Sequence, residues 1–215
     1  MPSLPDPLPD DPLPLVVLWL AHAHRDAAQR NPGAMALATS DRDGRPAVRM
    51  VLLKSVSAEH GYGVFYTNRK SRKGRDIDAN PRAAGALYWE PLGRQLRLEG
   101  RVVASPDAES DAYYATRPVG SQVNAWVSRQ SAPLSTFVEL ERRAEHKKRE
   151  LMSLGGLPRP PFWGGYRLWF DAIEFWVEGP DRFHERARYE RTLSGAEREP
   201  TAIVAGAWRH ELLEP

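Results

Sequence analysis

The strongest constraint on the fold is a succession of short strand-like runs, many of them joined only by turns. The first run, Ala34–Ser40, is apolar and ends at Asp41-Arg42-Asp43-Gly44, which is a typical hairpin signal. The runs come in consecutive, hairpin-like groups with a few helices inserted. This order predicts a mainly β fold with helices (α+β), an antiparallel barrel rather than an alternating βαβ sheet. The predicted strands are 34–40, 47–54, 62–68, 83–89, 95–104, 166–170, 172–177, 182–192 and 201–205.

Helical patterns precede and interrupt these strands. Leu15, Leu18, Trp19 and His22 recur at helical spacing, so a helix is predicted from residue 14 to about Arg30. Further helices are predicted over 74–80, from an N-cap at Ser105 to 117–118, and from a capping box at Thr136 and Glu139 to 155–156. Residues 1–14 contain six prolines and three aspartates, which predicts a mobile or extended arm. We therefore expect a single domain, 15–215, preceded by this arm.

Composition and charge exclude several classes of function. The 215 residues carry 30 basic and 28 acidic side chains, a net charge of +2, which argues against a general nucleic-acid binder. The chain has no cysteine, which excludes disulfides, thiolate metal sites, iron–sulfur clusters and cysteine nucleophiles. The six histidines lack metal-ligand spacing, and no G-x-G-x-x-G or Walker A loop is present. The longest apolar run, 15–21, is too short to span a bilayer and does not read as a signal peptide, so we expect a cytoplasmic protein.

Ser71, Arg72 and Lys73 are the first candidate anion site. They lie between a predicted strand and a short predicted helix. Cations at a helix N-terminus oppose the helix dipole, unless an anion lies between them and the free backbone N–H groups. A phosphate monoester fits this chemistry, and a solvated basic turn is the alternative.

The segment from Arg49 to Lys54, within the strand predicted over 47–54, is the second candidate. Arg49, Val51 and Leu53 are expected to share one face of this strand, and Met50, Leu52 and Lys54 the other. Buried cations need partners, which a bound anionic ligand would supply. The alternative is a strand whose ends reach solvent, with the long cationic side chains extending into water.

Two further segments repeat this pattern of clustered cations. In a strand over 182–192, Arg182, His184, Arg186 and Arg188 would share one face and meet an anion, or else protect an exposed sheet edge by their charge. Tyr113 and Arg117 lie four residues apart on a predicted helix, with Ser121 just beyond. These three side chains could clamp a phosphate, and an ordinary helix end is the alternative.

Taken together, these segments resemble the pyridoxine/pyridoxamine 5′-phosphate oxidase family, whose members use FMN to make pyridoxal 5′-phosphate. The similarity runs from about Asp11 to the C-terminus. The matching motifs are RMVLLK (49–54), FYTNRKSRKGRDIDANPRA (65–83), RQLRLEG (94–100), YYATRPVGSQVNAWVSRQS (113–131), FWGGYR (162–167) and IEFWVEGPDRFHERARY (173–189). Long motifs spread through the chain make a chance match improbable.

The resemblance implies a Greek-key split β-barrel that forms a homodimer, with one FMN in each of two clefts between the subunits. It implies FMN contacts at Arg49, Met50, Val51, Leu52, Leu53, Lys54, Tyr66, Thr67, Arg72, Lys73, Gln95, Gln130, Ser131, Trp176 and Arg186. The substrate phosphate would meet Lys54, Tyr113, Arg117 and Ser121, and the catalytic residues Arg182 and His184 would face the pyridine ring.

The implied reaction oxidises pyridoxamine 5′-phosphate or pyridoxine 5′-phosphate at its C4′ carbon, with O2 as the acceptor and H2O2 released. Arg182 would hold the ring and stabilise negative charge, and His184 would hydrogen-bond the substrate or move a proton. One alternative is a related FMN oxidase of secondary metabolism, of the phenazine type. Another is a split-barrel flavin-binding protein without turnover. No metal, nucleic-acid or membrane partner is expected.

Overall fold

The computed structural model describes residues 3–25, 29–153, 157–195 and 203–215, and antiparallel strands dominate it. The helices are α1 (Leu13–Arg25), α2 (Arg72–Ala79), α3 (Asp107–Ala115), α4 (Val119–Val127) and α5 (Phe137–Ser153). The strands are β1 (Ala34–Ser40), β2 (Pro46–Leu52), β3 (Ser55–Ser57), β4 (Tyr62–Asn68), β5 (Arg82–Trp89), β6 (Arg94–Ala104), β7 (Trp163–Val177), β8 (Glu185–Glu190), β9 (Leu193–Ser194), β10 (Val204–Ala205) and β11 (Arg209–Leu213). Within these ranges, no helix combines the length and apolar character needed to cross a membrane.

Strand β7 connects the two parts of the sheet because it pairs with two different strands, one after the other, along one of its edges. The main path of the sheet runs β11-β8-β7-β6-β5-β1-β2. Along one edge, β7 pairs with β4 from Trp163 to Trp169 and then with β8 from Ala172 to Val177. All of these pairs are antiparallel. The predicted mainly β, antiparallel fold with helices is therefore confirmed, and β7 is the strand at which the sheet forks.

A bulge explains why the sequence suggested two strands where the structure has one. The register between β6 and β7 shifts at Glu99 and Gly100, so that Asp171 is the extra residue and the strand continues past it. The predicted break between 166–170 and 172–177 is therefore wrong. Gly100 is required here because a Cβ atom at this position would collide with the Trp169 carbonyl oxygen.

Helix α1 closes the barrel with its apolar face. The fully buried Trp19 ring meets the Phe175 ring edge-on, with centroids 5.0 Å apart at 81°. Alternate residues of the strands, such as Met35 and Leu37 on β1, complete the core. The predicted extension of this helix to Arg30 is wrong, because the chain at 29–30 is no longer helical.

Three other predictions are corrected in detail. Helix α3 begins one residue later than predicted, with Pro106 rather than Ser105 as its N-cap. Helix α4 was not predicted, since its Val119-Gly120 start is a poor helix former. The strand predicted over 201–205 is limited to β10 among the described residues, and its first two residues lie outside them, as does the predicted end of α5 at 155–156. The Thr136 cap of α5 is confirmed, because its Oγ1 accepts the Glu139 N–H at 3.2 Å.

The segment before α1 lies against β8 and β11. The Leu4 N–H donates to the Glu185 carboxylate at 2.7 Å, and Leu4 and Leu8 pack against the core. The mobility of this arm, and a domain boundary at residue 14, stay predictions.

Candidate functional site

Lys73 is a buried cation whose hydrogen bonds go to neutral oxygens. Its side chain projects from the first turn of α2 and is only 6% exposed. The Nζ donates to Thr67 Oγ1 at 3.0 Å, Ser71 Oγ at 3.2 Å and Gln130 Oε1 at 3.2 Å. Burial, and to a smaller extent the nearby Arg49 charge, lowers the pKa of Lys73 to about 8. An anion next to Nζ would remove this penalty.

Arg49 approaches Lys73 from β2. Its Nη1 donates to the Leu37 carbonyl at 3.2 Å and to Thr39 Oγ1 at 2.6 Å. Its Nη2 lies 3.5 Å from Asp76 Oδ2. Burial lowers the pKa of Arg49, against the opposing effect of Asp76. Of these two partly desolvated cations, Arg49 has a carboxylate partner, whereas Lys73 bonds to neutral oxygens within the described structure.

The start of α2 and the loop after α4 complete this group. Ser71 is the N-cap, whose Oγ accepts the Gly74 N–H at 3.4 Å. The Arg72 N–H donates to Ser131 Oγ at 3.1 Å. The prediction that Ser71 to Lys73 open a helix is confirmed, although the helix begins at Arg72 rather than Gly74. We call Arg49, Thr67, Arg72, Lys73, Gln130 and Ser131 the Lys73 cluster.

A cavity of about 240 Å³ adjoins this cluster and has an aromatic wall. The Tyr66 and Tyr113 rings stack at 3.9 Å, and Trp163 lies parallel to Tyr66 at 5.6 Å. Burial is the main cause that raises the pKa of Tyr66 to about 12, so its hydroxyl is a neutral donor near neutral pH. The lining residues are Leu52, Lys54, Tyr66, Thr67, Asn68, Tyr113, Arg117, Asn124, Ala125, Ser128, Gln130 and Trp163.

Two cations face this cavity in addition to the Lys73 cluster. Lys54 Nζ lies 5.7 Å from the centre of the Tyr113 ring, and the Arg117 guanidinium lies 4.5 Å from that of Trp163. Burial lowers the pKa of Arg117, and its buried Nη1 has no hydrogen-bond partner within the described part of the chain. A buried N–H without an acceptor is costly, so this atom too calls for a ligand oxygen.

These cations are identified from the sequence, but two of the predicted details around them are wrong or untested. Arg117 does not share a helix face with Tyr113, because α3 ends at Ala115; both nevertheless line the cavity. Ser121 lies in the first turn of α4 and is not one of the residues that line the cavity. Its contact with a phosphate stays a prediction.

A second cluster lies on the other side of the sheet fork. Gln95, Trp176 and Arg186 are cross-strand neighbours on β6, β7 and β8. The His184 ring lies 4.6 Å from that of Trp176, and its Nδ1 accepts the Gly179 N–H at 3.3 Å. We call these four residues the Trp176 cluster. The contacts found among the described residues do not connect it to the Lys73 cluster.

The predicted row of four cations does not form. Strand β8 begins at Glu185, whereas Arg182 lies in a turn with a φ of 67°. Arg186 donates from Nε and Nη2 to the buried Glu174 at 3.0 and 2.9 Å, and Arg188 donates to Glu190 at 2.7 Å. The cationic face is therefore met by carboxylates of the protein itself.

The strand predicted over 47–54 ends at Leu52, so Leu53 and Lys54 lie beyond β2, but the alternation within β2 is confirmed. Val48, Met50 and Leu52 point outward and are 69%, 62% and 41% exposed. Val51 is half-buried against the core, and Leu53 lies inside it. The outward side of β2 is thus an apolar surface beside the cationic cleft.

Sequence reasoning missed four residues of this region. Thr39 and Asp76 hold Arg49, Glu174 holds Arg186, and Trp163 walls the cavity. A signal existed for Thr39, since it continues the inward face of β1 as its one polar member. No local pattern assigns Asp76 to an arginine on β2.

Fold and site together define a split-barrel protein whose cleft suits a phosphorylated, flat ligand. A family model described as "Pyridoxamine 5'-phosphate oxidase" matches residues 20–148. A second, described as "Pyridoxine 5'-phosphate oxidase C-terminal dimerisation region", matches residues 163–215. The chain belongs to the pyridoxine/pyridoxamine 5′-phosphate oxidase family, an enzyme family, and this prediction is confirmed.

Relatives cover nearly the whole chain. A pyridoxine/pyridoxamine 5′-phosphate oxidase of Rhodospirillum rubrum is 45% identical over 209 residues, which are 95% of this chain and 96% of the relative. One of Rubrobacter xylanophilus is 48% identical over 205 residues, 95% of this chain and 87% of the relative. Among solved structures, PhzG of Burkholderia lata, in complex with tetrahydrophenazine-1-carboxylic acid, has a TM-score of 0.82 and 34% identity, covering 98% of this chain and 95% of PhzG.

Proposed function

We propose that the chain is an FMN-dependent oxidase that converts pyridoxamine 5′-phosphate and pyridoxine 5′-phosphate to pyridoxal 5′-phosphate. The observation that carries this proposal is the buried Lys73, which lies beside Arg49 and binds only neutral oxygens among the described residues. A phosphate dianion is the ligand class that such a pair stabilises. The names of the relatives at 45% and 48% identity favour these substrates. A cytoplasmic location stays a prediction.

The residues present fit FMN. Arg49, Arg72 and Lys73 offer positive charge to its phosphate, while neutral side chains of the Lys73 cluster offer further polar atoms. The exposed Met50 and Leu52 offer an apolar surface to a flat ring. FMN supplies the redox chemistry, since a flavin accepts a hydride from the C4′ carbon and passes the electrons to O2, which leaves as H2O2. With pyridoxamine 5′-phosphate, water then hydrolyses the imine to the aldehyde and releases ammonia.

The predicted FMN contacts divide between two clusters, which supports a homodimer. Gln95, Trp176 and Arg186 would reach the flavin from the partner copy of the chain. The region 163–215, which contains Trp176 and Arg186, is the part that matches a dimerisation region. A partner would also cover the exposed apolar side of β2.

The cavity beside the Lys73 cluster suits the phosphate of the substrate. Arg117 brings an N–H that lacks a partner in the described structure, and Lys54 and Tyr113 stand next to it. Together with the FMN phosphate site, this clamp would stack the pyridine ring of the substrate on the flavin.

Arg182 and His184 are the proposed residues on the far side of the substrate ring. Because the Gly179 N–H donates to Nδ1 of His184, the neutral imidazole carries its proton on Nε2. His184 can therefore donate a hydrogen bond to the substrate from Nε2. Arg182 would stabilise negative charge that develops on the ring.

Spectra and turnover of the purified protein test the proposal. We expect flavin absorbance after FMN is added, and equal amounts of pyridoxal 5′-phosphate and H2O2 from pyridoxamine 5′-phosphate under O2. A protein that takes up no FMN in excess would refute the proposal. A phenazine-type oxidase, which the likeness to PhzG keeps as the second candidate, would take up FMN but leave both phosphorylated substrates unchanged. A flavin-binding protein without turnover would release no H2O2.

A further inference from the structure

We propose that Thr39 and Asp76 are positioning residues that aim the Arg49 guanidinium at the phosphate of the cofactor. This inference rests on the proposed function and extends it to two residues that would not touch the cofactor themselves. Both are buried, with 4% and 5% of their surface exposed. They come from β1 and α2, which pack against each other behind the Lys73 cluster.

The Thr39 hydroxyl connects the two charged groups in a fixed direction. It donates to Asp76 Oδ2 at 2.6 Å and accepts from Arg49 Nη1 at 2.6 Å. A hydroxyl has one proton to donate, and the carboxylate takes it because an ionised carboxylate only accepts. The lone pairs of Oγ1 are thereby left for the arginine. Short bonds to charged groups of this kind are among the stronger ones in proteins.

The contacts of Arg49 with Thr39, Leu37 and Asp76 determine which edge of its guanidinium remains free to bind a ligand. Both Nη1 protons are used, one by Thr39 and the other by the Leu37 carbonyl. Nη2 makes one long contact, 3.5 Å, to Asp76. Within the described structure, Nε and the second Nη2 proton have no partner. These two N–H groups point in parallel from one edge of the guanidinium, the arrangement that binds two oxygens of a phosphate.

Asp76 also adjusts the charge of the cleft to that of the ligand. Arg49, Arg72 and Lys73 are three cations, and among the described residues Asp76 forms its ion pair with Arg49. The net charge of this group is therefore two positive, which a phosphomonoester dianion neutralises. The carboxylate lies one helical turn beyond Lys73, whose hydrogen bonds within the described structure go to neutral oxygens instead.

The test compares Thr39→Val with Thr39→Ser and measures the affinities of FMN and of riboflavin, which lacks the phosphate. Valine removes the hydroxyl at nearly equal volume, whereas serine keeps it. We expect Thr39→Val to weaken FMN binding about tenfold, the value of a lost hydrogen bond to a charged group. Riboflavin affinity should stay unchanged in both variants, and Thr39→Ser should bind FMN like the wild type.

Two outcomes would overturn the inference. One is an equal loss of FMN and riboflavin affinity in Thr39→Val, which indicates a general structural defect; the other is an FMN affinity of Thr39→Val equal to that of the wild type. Thr39→Ala, which also lacks the hydroxyl, takes the place of the valine variant if that variant does not give a cooperative thermal transition. A wild-type protein that binds neither flavin would refute the proposed function itself. A wild type that binds both flavins, together with a Thr39→Val variant that binds FMN equally well, would refute only the role of Thr39 and Asp76.

Discussion

The charge of Lys73 should make FMN bind more weakly as the pH rises above 8. In the free protein, burial lowers the pKa of Lys73 from 10.5 to about 8. A phosphate against Nζ favours the ammonium form and raises this pKa again. Binding must then take up a proton at every pH where the free protein holds Lys73 neutral. Between about pH 8 and the pKa in the complex, linkage makes the Kd of FMN rise tenfold per pH unit.

The size of the effect follows from the two pKa values. The gap between 10.5 and about 8 corresponds to ~3 kcal/mol, or an affinity change of roughly 300-fold, if the phosphate fully restores the ordinary pKa. A phosphomonoester is already a dianion above pH 7, because its second pKa is about 6, so its own titration does not interfere. The stability of the protein without FMN should instead increase as the pH rises. Its unfolded chain holds the proton up to the higher pKa, so the free energy of unfolding rises by up to ~3 kcal/mol through the same pH window.

Titrations of flavin fluorescence between pH 7 and 9.5 measure this directly. We expect the Kd of FMN to rise about 15-fold from pH 8 to 9.5, with riboflavin unaffected because it has no phosphate. Lys73→Met is the matched variant, and its FMN affinity should be weaker at pH 7 and independent of pH. A wild-type Kd for FMN that stays constant over this range would refute the assignment of Lys73 to the phosphate.

Other substitutions should act in separable ways. Arg117→Ala should raise the KM for pyridoxamine 5′-phosphate by about 10- to 100-fold while the FMN content stays unchanged, because a charged hydrogen-bond donor is lost; an unaltered KM would contradict the substrate site. Arg191→Ala should lower the free energy of unfolding in urea by ~2–4 kcal/mol, since its guanidinium donates to the carbonyls of Phe170 and Gly61 at 2.8 and 3.0 Å. A decrease smaller than the experimental error would show that these hydrogen bonds are dispensable. Glu174→Ala should lower the free energy of unfolding by ~1–3 kcal/mol because it removes the buried carboxylate that accepts hydrogen bonds from Arg97 and Arg186, with Glu174→Gln milder in the same melts; equal effects of the two would argue against the ion pairs.

Strands were predictable where turns bound them on both sides. Ala34–Ser40 and Tyr62–Asn68 have the bounds that the sequence indicated, because a hairpin turn or a loop closes each end. Strand β7 was divided by mistake at Asp171. Its continuity depends on the bulge opposite Gly100, a feature of two paired strands that a single stretch of sequence does not reveal.

In the candidate site, too, local features were predictable from the sequence and long-range contacts were not. The cations at 49, 54, 72, 73 and 117 stand out locally, because charge beside apolar runs or at a helix start is unusual. Their partners do not stand out. Thr39 and Asp76 meet at 2.6 Å although 37 residues separate them, and Arg186 finds its carboxylate on a neighbouring strand. The expected ladder of four cations failed because a turn with two residues at positive φ comes before β8.

Alternation of apolar and polar residues, turn chemistry and long motifs were enough to establish the antiparallel architecture, the family and the identity of the cationic residues, since these depend on short-range order along the chain. Folding determined which cations keep a free edge and which are neutralised. Lys73 and Arg117 are left with unmet electrostatic or hydrogen-bonding needs, whereas Arg186 and Arg188 are paired. The difference arises because burial and counter-charge are set by strands and helices distant in sequence, and these two quantities govern the free energy of holding an anion.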